Sequence, residues 1–189
     1  MIYTAAKPPA FNNNLVFVCS LSKLGLPGAR TGIVIARPEI AAAISRMTAI
    51  LGLANNNVGQ ALARGLLEQR KLIPICREVI QPYYRRRSEQ AQQWVAEFFD
   101  DKLPYRVHAS EGAFFLWLRF PGLSITTYEL YERLKNRGTL IVPGKYFFYG
   151  CDEDSSRHRH ECIRVTFTQA EEDVREGIRA IAEEVKKAY

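Results

Sequence analysis

The sequence lacks the features that mark membrane-embedded and secreted proteins. Its 189 residues contain no run of about 18 apolar residues, which a transmembrane helix requires. The N-terminus has no basic stretch followed by an apolar one, so we expect no secretory signal. The four cysteines have irregular spacing and no CxxC pair, which favours reduced thiols over a disulfide framework. We therefore expect a cytoplasmic protein without a membrane partner.

Modules that bind nucleic acid or metal are missing as well. The net charge is +6, but we find no basic stripe with a recognisable nucleic-acid-binding module, so we expect no nucleic-acid partner. The run Arg85-Arg86-Arg87 is typical of a solvated helix face. His158, His160 and Cys162 occupy every second position, so on a strand their side chains would lie on one face, where they could bind a metal ion. Because no second cluster completes a tetrahedral set, we expect a polar loop that enters a strand and no metal site.

The stretch from Ser20 to Gly32 is the most informative part of the chain. It carries Lys23, two serines, three glycines and Arg30 between two short apolar runs, 15–19 and 33–36, which we predict to be buried strands. Glycines let the backbone approach a ligand, and hydroxyl and guanidinium groups suit a phosphate. A lysine beside a phosphate site can form a Schiff base with a carbonyl cofactor. An ordinary exposed loop lysine is the alternative.

Periodicity and turn residues predict strands that alternate with helices, which is the α/β class. Pro82 should kink the longest helix or start a new segment. The predicted helices cover about 38–53, 58–68, 72–99, 126–137 and 171–187. In addition to the strands at 15–19 and 33–36, the predicted strands cover about 105–108, 114–120, 140–142 and 162–167.

The pattern Ser-x-Ser-Lys-x-Gly-Leu-Pro-Gly-x-Arg-x-Gly resembles the cofactor-lysine signature of fold-type I pyridoxal-phosphate enzymes, the aspartate aminotransferase superfamily. Residues 111–117, 143–147 and 163–167 resemble further segments of that family, and the set is most similar to its valine–pyruvate aminotransferase group. The resemblance covers nearly the whole chain, but only the C-terminal part of the family's sequence. It implies that residues 1–75 are the last strands and helices of the large domain. Residues 76–189 would be the interdomain helix and an α+β small domain.

The resemblance assigns cofactor roles to four residues. Lys23 would be the Schiff-base lysine for pyridoxal 5'-phosphate and would carry a proton to and from the substrate Cα. Ser20 and Arg30 would bind the cofactor phosphate, with Ser22 as a weaker candidate that otherwise only shapes the turn. The implied reaction is transamination between an apolar amino acid, valine or alanine, and a 2-oxo acid such as pyruvate.

Two residues are candidates for substrate binding. Arg164 should point away from the face of Ile163 and Val165 on its strand. In the resemblance it matches the arginine that binds the substrate α-carboxylate, and its planar fork allows bidentate geometry. An ordinary strand arginine is the alternative. Gly144 would let the backbone approach the substrate side chain, although a simple turn glycine explains it equally well.

Residues 1–22 contain no aspartate or glutamate. The resemblance implies an aspartate against the cofactor's ring nitrogen and an earlier phosphate loop, and neither can be placed here. A truncated large domain should also leave apolar surface uncovered. Two functions therefore stay open. One is an aminotransferase, expected as a homodimer, whose chain is incomplete here. The other is a non-catalytic aminotransferase-like module that acts by self-association.

Overall fold

The chain divides into two compact units, and the boundary between them along the sequence falls inside one long helical segment. The computed structural model describes residues 12–52, 57–99, 102–150 and 157–189. The first unit ends at Pro82, and the second runs from Tyr83 to Tyr189. The assignment of residues 1–75 to a large-domain remnant and of 76–189 to a small domain remains a prediction.

Within the described residues, the first element of the first unit is a β-hairpin. Strand β1 (Phe17–Ser20) pairs antiparallel with strand β2 (Gly32–Ile35), and Ser20 lies opposite Gly32. The two predicted strands are therefore present, but the prediction that they are buried is wrong. Val18 is 66% exposed, and Ile35 is exposed as well. A two-stranded sheet has two faces, and the described residues leave both of them largely uncovered.

Two helices follow the hairpin with the predicted bounds. Helix α1 (Pro38–Gly52) begins at its proline, and helix α2 covers Val58–Glu68. No residue of α1 is buried, and Leu51 is 81% exposed. Its apolar side chains recur at helical spacing, yet the described part of the chain does not cover them. A small core elsewhere in the unit consists of Leu21, Ala63, Leu72 and Cys76.

The longest helical segment contains one irregular turn. Helix α3 (Leu72–Ile75), a π-helical turn (Cys76–Ile80) and helix α4 (Gln81–Phe98) follow one another without a gap. From the sequence, Pro82 was expected either to kink the helix or to start a new segment. The structure shows no new segment at Pro82, because the helical structure continues across it. The irregularity lies in the turn just before it, because proline lacks the N–H that would bond to the preceding turn.

The second unit packs three helices against one face of an antiparallel sheet. The strand order is β3 (Arg106–Val107), β4 (Phe115–Arg119), β6 (Cys162–Thr166), β5 (Val142–Pro143). The remaining helices are α5 (Thr127–Lys135) and α6 (Glu171–Lys186).

Alternation along the strands divides this sheet into two different faces. Leu116, Leu118 and Ile163 are buried and share one core with residues of α4, α5 and α6. The opposite face carries Trp117 and Arg164, which are direct cross-strand partners. This second face is where the substrate candidates lie.

Arg87 corrects the expectation that the arginine run is a solvated face. Its side chain is only 12% exposed and forms an ion pair with Glu171 at 3.0 Å. The guanidinium also donates to the Phe167 carbonyl oxygen at 3.2 and 3.3 Å and to the Gln169 carbonyl oxygen. Arg85 and Arg86 are exposed as predicted. One arginine of the three therefore ties α4 to the β6–α6 connection.

Glu161 is a buried carboxylate that joins two strand ends. It accepts from the Gly122 N–H at 2.9 Å and from Arg119 Nε at 3.1 Å. Burial alone would raise the pKa of Glu161, but the bonds from Gly122 and Arg119 outweigh it and hold that pKa below its usual range. The carboxylate is therefore ionised in the folded chain at neutral pH.

None of the helices in the described ranges combines the length and the apolar content that a membrane crossing needs.

Candidate functional site

The candidate lysine lies in a short turn that begins where β1 ends. Residues Leu21–Leu24 form one turn of 3-10 helix. Ser20 caps this turn, because its Oγ accepts the backbone N–H of Ser22 at 3.2 Å. Lys23 is exposed. As an acceptor in the cap, the Ser20 hydroxyl keeps its proton for an anion, whereas Ser22 contributes its backbone N–H to the turn.

The turn is anchored from its buried side. Leu21 is fully buried, and its N–H donates to the Thr31 carbonyl oxygen at 3.0 Å. Gly25 ends the turn with a φ of 95°, a conformation that favours glycine. The Cys76 thiol donates to the Leu24 carbonyl oxygen at 3.3 Å. Burial raises the pKa of Cys76, so this donor keeps its proton and the turn stays fixed against the α3–α4 segment.

Arg30 lies at the other end of the same connection, just before β2. It is exposed and has a φ of 47°. This is the left-handed region, which side chains other than glycine seldom occupy. Ser20 is the last residue of β1, and Lys23 and Arg30 lie in the segment that joins β1 to β2.

Arg164 lies on β6 between two aromatic rings. Its guanidinium carbon is 4.2 Å from the ring centre of Phe115 and 4.7 Å from that of Phe147. Trp117 meets Phe147 edge to face at 5.3 Å. Among the buried side-chain nitrogens and oxygens of the described residues, Arg164 Nε is the one without a hydrogen-bond partner. A stacked guanidinium with an unused N–H suits a planar anion such as a carboxylate.

Gly144 is buried at the start of the 3-10 turn Gly144–Phe147. A Cβ at this position would lie 2.6 Å from the Cys162 Cβ and 2.7 Å from the Cys162 carbonyl oxygen. Close packing against β6 therefore requires glycine here. The suggested contact with a substrate remains a prediction.

The alternating histidines precede the last strand. His158 and His160 lie in the 3-10 turn Arg157–His160, and Cys162 opens β6. The Cys162 Sγ is 3.8 Å from His158 Nε2, and burial raises the pKa of that thiol. Within the described ranges, no group of three or more His, Cys, Asp or Glu side chains could hold a metal ion.

The two sets of candidates belong to different units. Lys23 and the phosphate candidates lie in the first unit, whereas in the second unit Arg164 lies on β6 and Gly144 packs against the same strand. Sequence reasoning missed the aromatic pair around Arg164, which consists of Phe115 and Phe147. The alternation on β4 was the available signal, because it sets Phe115 on the same face as Trp117.

Comparisons with known proteins point to one family. A model of the aminotransferase class I and II family matches residues 5–181. The chain is 39% identical to the valine–pyruvate aminotransferase of Escherichia coli (strain K12) over 189 residues. That alignment covers 100% of this chain and 45% of the relative.

Solved structures that match this chain are also aminotransferases. The crystal structure of valine–pyruvate aminotransferase from Salmonella typhimurium LT2 matches with a TM-score of 0.90 at 38% identity, over 99% of this chain and 47% of that one. Kynurenine aminotransferase from Pyrococcus horikoshii, in complex with PMP, matches with a TM-score of 0.75 at 25% identity, over 93% and 41%. The chain thus spans less than half the length of these relatives, with the fold of the matched part preserved.

Proposed function

This chain belongs to the aminotransferase class I and II family, and from that premise we propose that it supplies part of the active site of a pyridoxal-phosphate-dependent aminotransferase. The proposed substrates are valine or alanine and a 2-oxo acid such as pyruvate. The identity to the E. coli valine–pyruvate aminotransferase supports this choice. Because the chain spans 45% of that relative, the activity, the cytoplasmic location and the homodimer belong to the proposal for the whole protein.

The donors on the β1–β2 connection fit the phosphate and aldehyde ends of pyridoxal 5'-phosphate. Ser20 offers a hydroxyl, Arg30 an exposed guanidinium and Lys23 an exposed amine. Ser22 is a weaker candidate, because its N–H already bonds to Ser20. When bound, the cofactor supplies an aldehyde that exchanges amino groups and a ring that accepts the electron pair left at the substrate Cα.

The side chains of this chain would bind, orient and move a proton. The Lys23 amine would remove the proton from the substrate Cα and return it later. Arg164 would hold the α-carboxylate and so fix the direction of the Cα–H bond. The observation that carries the proposal is the unpartnered Arg164 Nε between Phe115 and Phe147. A buried N–H without a partner is costly unless a ligand accepts from it.

The test is to locate the lysine that reacts with the cofactor aldehyde. The full chain is mixed with pyridoxal 5'-phosphate, treated with borohydride and mapped by peptide mass spectrometry. We expect the label on Lys23, loss of the label in Lys23→Ala, and no loss in Lys71→Ala, which removes another exposed lysine of the first unit. Label spread evenly over surface lysines would contradict the proposal.

A second candidate is a non-catalytic module that associates with itself. The exposed apolar residues of the first unit favour it, since such surface marks an interaction site. Sedimentation gives the mass, and a single turnover with valine and pyridoxal 5'-phosphate gives the amine transfer. A stable oligomer that transfers no amine supports the module. Release of the 2-oxo acid from valine supports the enzyme.

A further inference from the structure

Arg30 has a backbone conformation that its own side chain does not favour. Its φ is 47°, and a residue with a Cβ in this region is strained. Such a residue persists only where its neighbours fix it, and this kind of strain gathers at ligand sites.

The first restraint is a hydrogen bond that spans Arg30. The Thr31 hydroxyl donates to the Ala29 carbonyl oxygen at 2.8 Å. It joins the residue before Arg30 to the residue after it. A return of Arg30 to negative φ would separate these two groups and break the bond.

The second restraint is the first turn of α2, which packs directly on that hydrogen bond. A Cβ on Gly59 would lie 2.2 Å from the Thr31 Oγ1 and 2.3 Å from the Ala29 carbonyl oxygen. These are the two atoms that form the bond. Only glycine therefore lets the helix backbone lie against them. Gly65 in the same helix is different, because a Cβ there would meet no atom within 4 Å.

We propose that Gly59 and Thr31 are positioning residues that hold Arg30 so that its guanidinium faces the cofactor phosphate. The inference rests on the proposed function above, in which Arg30 binds that phosphate. In this proposal neither residue touches the cofactor. Each acts through the backbone of Arg30. Thr31 forms the hydrogen bond to Ala29 that spans Arg30, and Gly59 packs on that hydrogen bond.

The experiment compares two aldehydes that differ only in the phosphate. The full chain is titrated with pyridoxal 5'-phosphate and with pyridoxal, and covalent attachment to lysine is followed by absorbance. In Gly59→Ala and Thr31→Val we expect the dissociation constant for the phosphorylated aldehyde to rise about tenfold or more, the size of a lost charge-assisted hydrogen bond. The constant for pyridoxal should stay unchanged. Gly65→Ala should change neither.

Two further variants separate positioning from general damage. Thr31→Ser keeps the hydroxyl and should restore the affinity for the phosphorylated aldehyde. In the Arg30→Ala background, Gly59→Ala should cost nothing more, because its effect passes through Arg30. Equal weakening of both aldehydes by Gly59→Ala, or full additivity with Arg30→Ala, would overturn the proposal.

The outcomes also distinguish this inference from the proposed function. If the wild-type chain binds both aldehydes equally well, Arg30 does not contact the phosphate and the positioning proposal fails, while Lys23 keeps its role. If the wild-type chain attaches neither aldehyde, the proposed function fails. In that case the positioning proposal is tested separately, by measuring the binding of inorganic phosphate from the line broadening of its phosphorus NMR signal. Broadening that Gly59→Ala removes supports it, and broadening that is absent or unchanged by Gly59→Ala overturns it.

Discussion

Replacing Glu161 by glutamine tests whether its buried charge stabilises the second unit. The side chain is 8% exposed and accepts from Gly122 and Arg119. Glutamine keeps an acceptor for Gly122 but loses the charge, and a charge-assisted bond is worth about 1 kcal/mol more than a neutral one. The half-exposed Arg119 pair adds about 0.5 kcal/mol. We expect Glu161→Gln to lower the free energy of unfolding by about 1.5 kcal/mol at neutral pH.

The assay is urea unfolding followed by tryptophan fluorescence, since both tryptophans, Trp94 and Trp117, lie in the second unit. The matched control is Glu97→Gln, which breaks an exposed pair with Arg175 and should cost less than about 0.5 kcal/mol. Equal costs for the two variants would refute the argument from burial.

The pH dependence gives a second check on Glu161. Its pKa in the folded chain is below the ordinary value, so the stabilisation is fully present above the unfolded pKa of a glutamate. It is lost as the pH falls through the folded pKa. The difference between wild type and Glu161→Gln should therefore shrink on acidification. A difference that stays constant down to strongly acidic pH would show that the charge is not the cause.

Three further substitutions or reactions probe other parts of the chain. Arg87→Ala should cost about 2–3 kcal/mol in urea unfolding, because it removes the charged donor from the part-buried Phe167 carbonyl oxygen and the ion pair with Glu171, whereas exposed Arg86→Ala should cost less than about 0.5 kcal/mol. Arg30→Gly should raise the stability of the first unit in calorimetry by about 0.5–1 kcal/mol through relief of strain, yet abolish the preference for a phosphorylated aldehyde. Iodoacetamide should alkylate half-buried Cys19 before Cys76, whose burial raises its thiol pKa, and peptide mapping checks the order.

Local signals made most of the secondary structure predictable. The predicted bounds of α2, about 58–68, agree with the observed helix Val58–Glu68. A helix was predicted from about residue 126, and α5 begins there with the Thr126 hydroxyl as its cap, which accepts the Glu129 N–H at 3.2 Å. Gly138 ends that region with a φ of 77°. These features depend on a few neighbouring residues, so the sequence carries them directly.

Burial and side-chain contacts were less predictable, because they depend on residues far apart in the chain. The apolar run of β1 indicates a strand, but nothing in it says whether another element covers Val18. In the sequence, Arg87 cannot be distinguished from Arg85 and Arg86. Its burial arises only from contact with the β6–α6 connection, which lies about 80 residues later in the chain. The candidate residues of the cofactor connection were found from their motif, whereas Gly59 is distant from it and carries no motif.

The position of α6 in the chain determines when the second unit can complete its core during synthesis. Ile178, Ile181 and Val185 belong to the same core as the buried residues of β4. Strand β4 is also paired with β6, which leaves the ribosome much later. Until β6 and α6 are translated, Leu116 and Leu118 can therefore be covered only in part, by the core residues of α4 and α5. A nascent chain stalled before Glu171 would lack the share of this core that α6 supplies and would leave part of the apolar sheet face open, which is the kind of surface that chaperones bind.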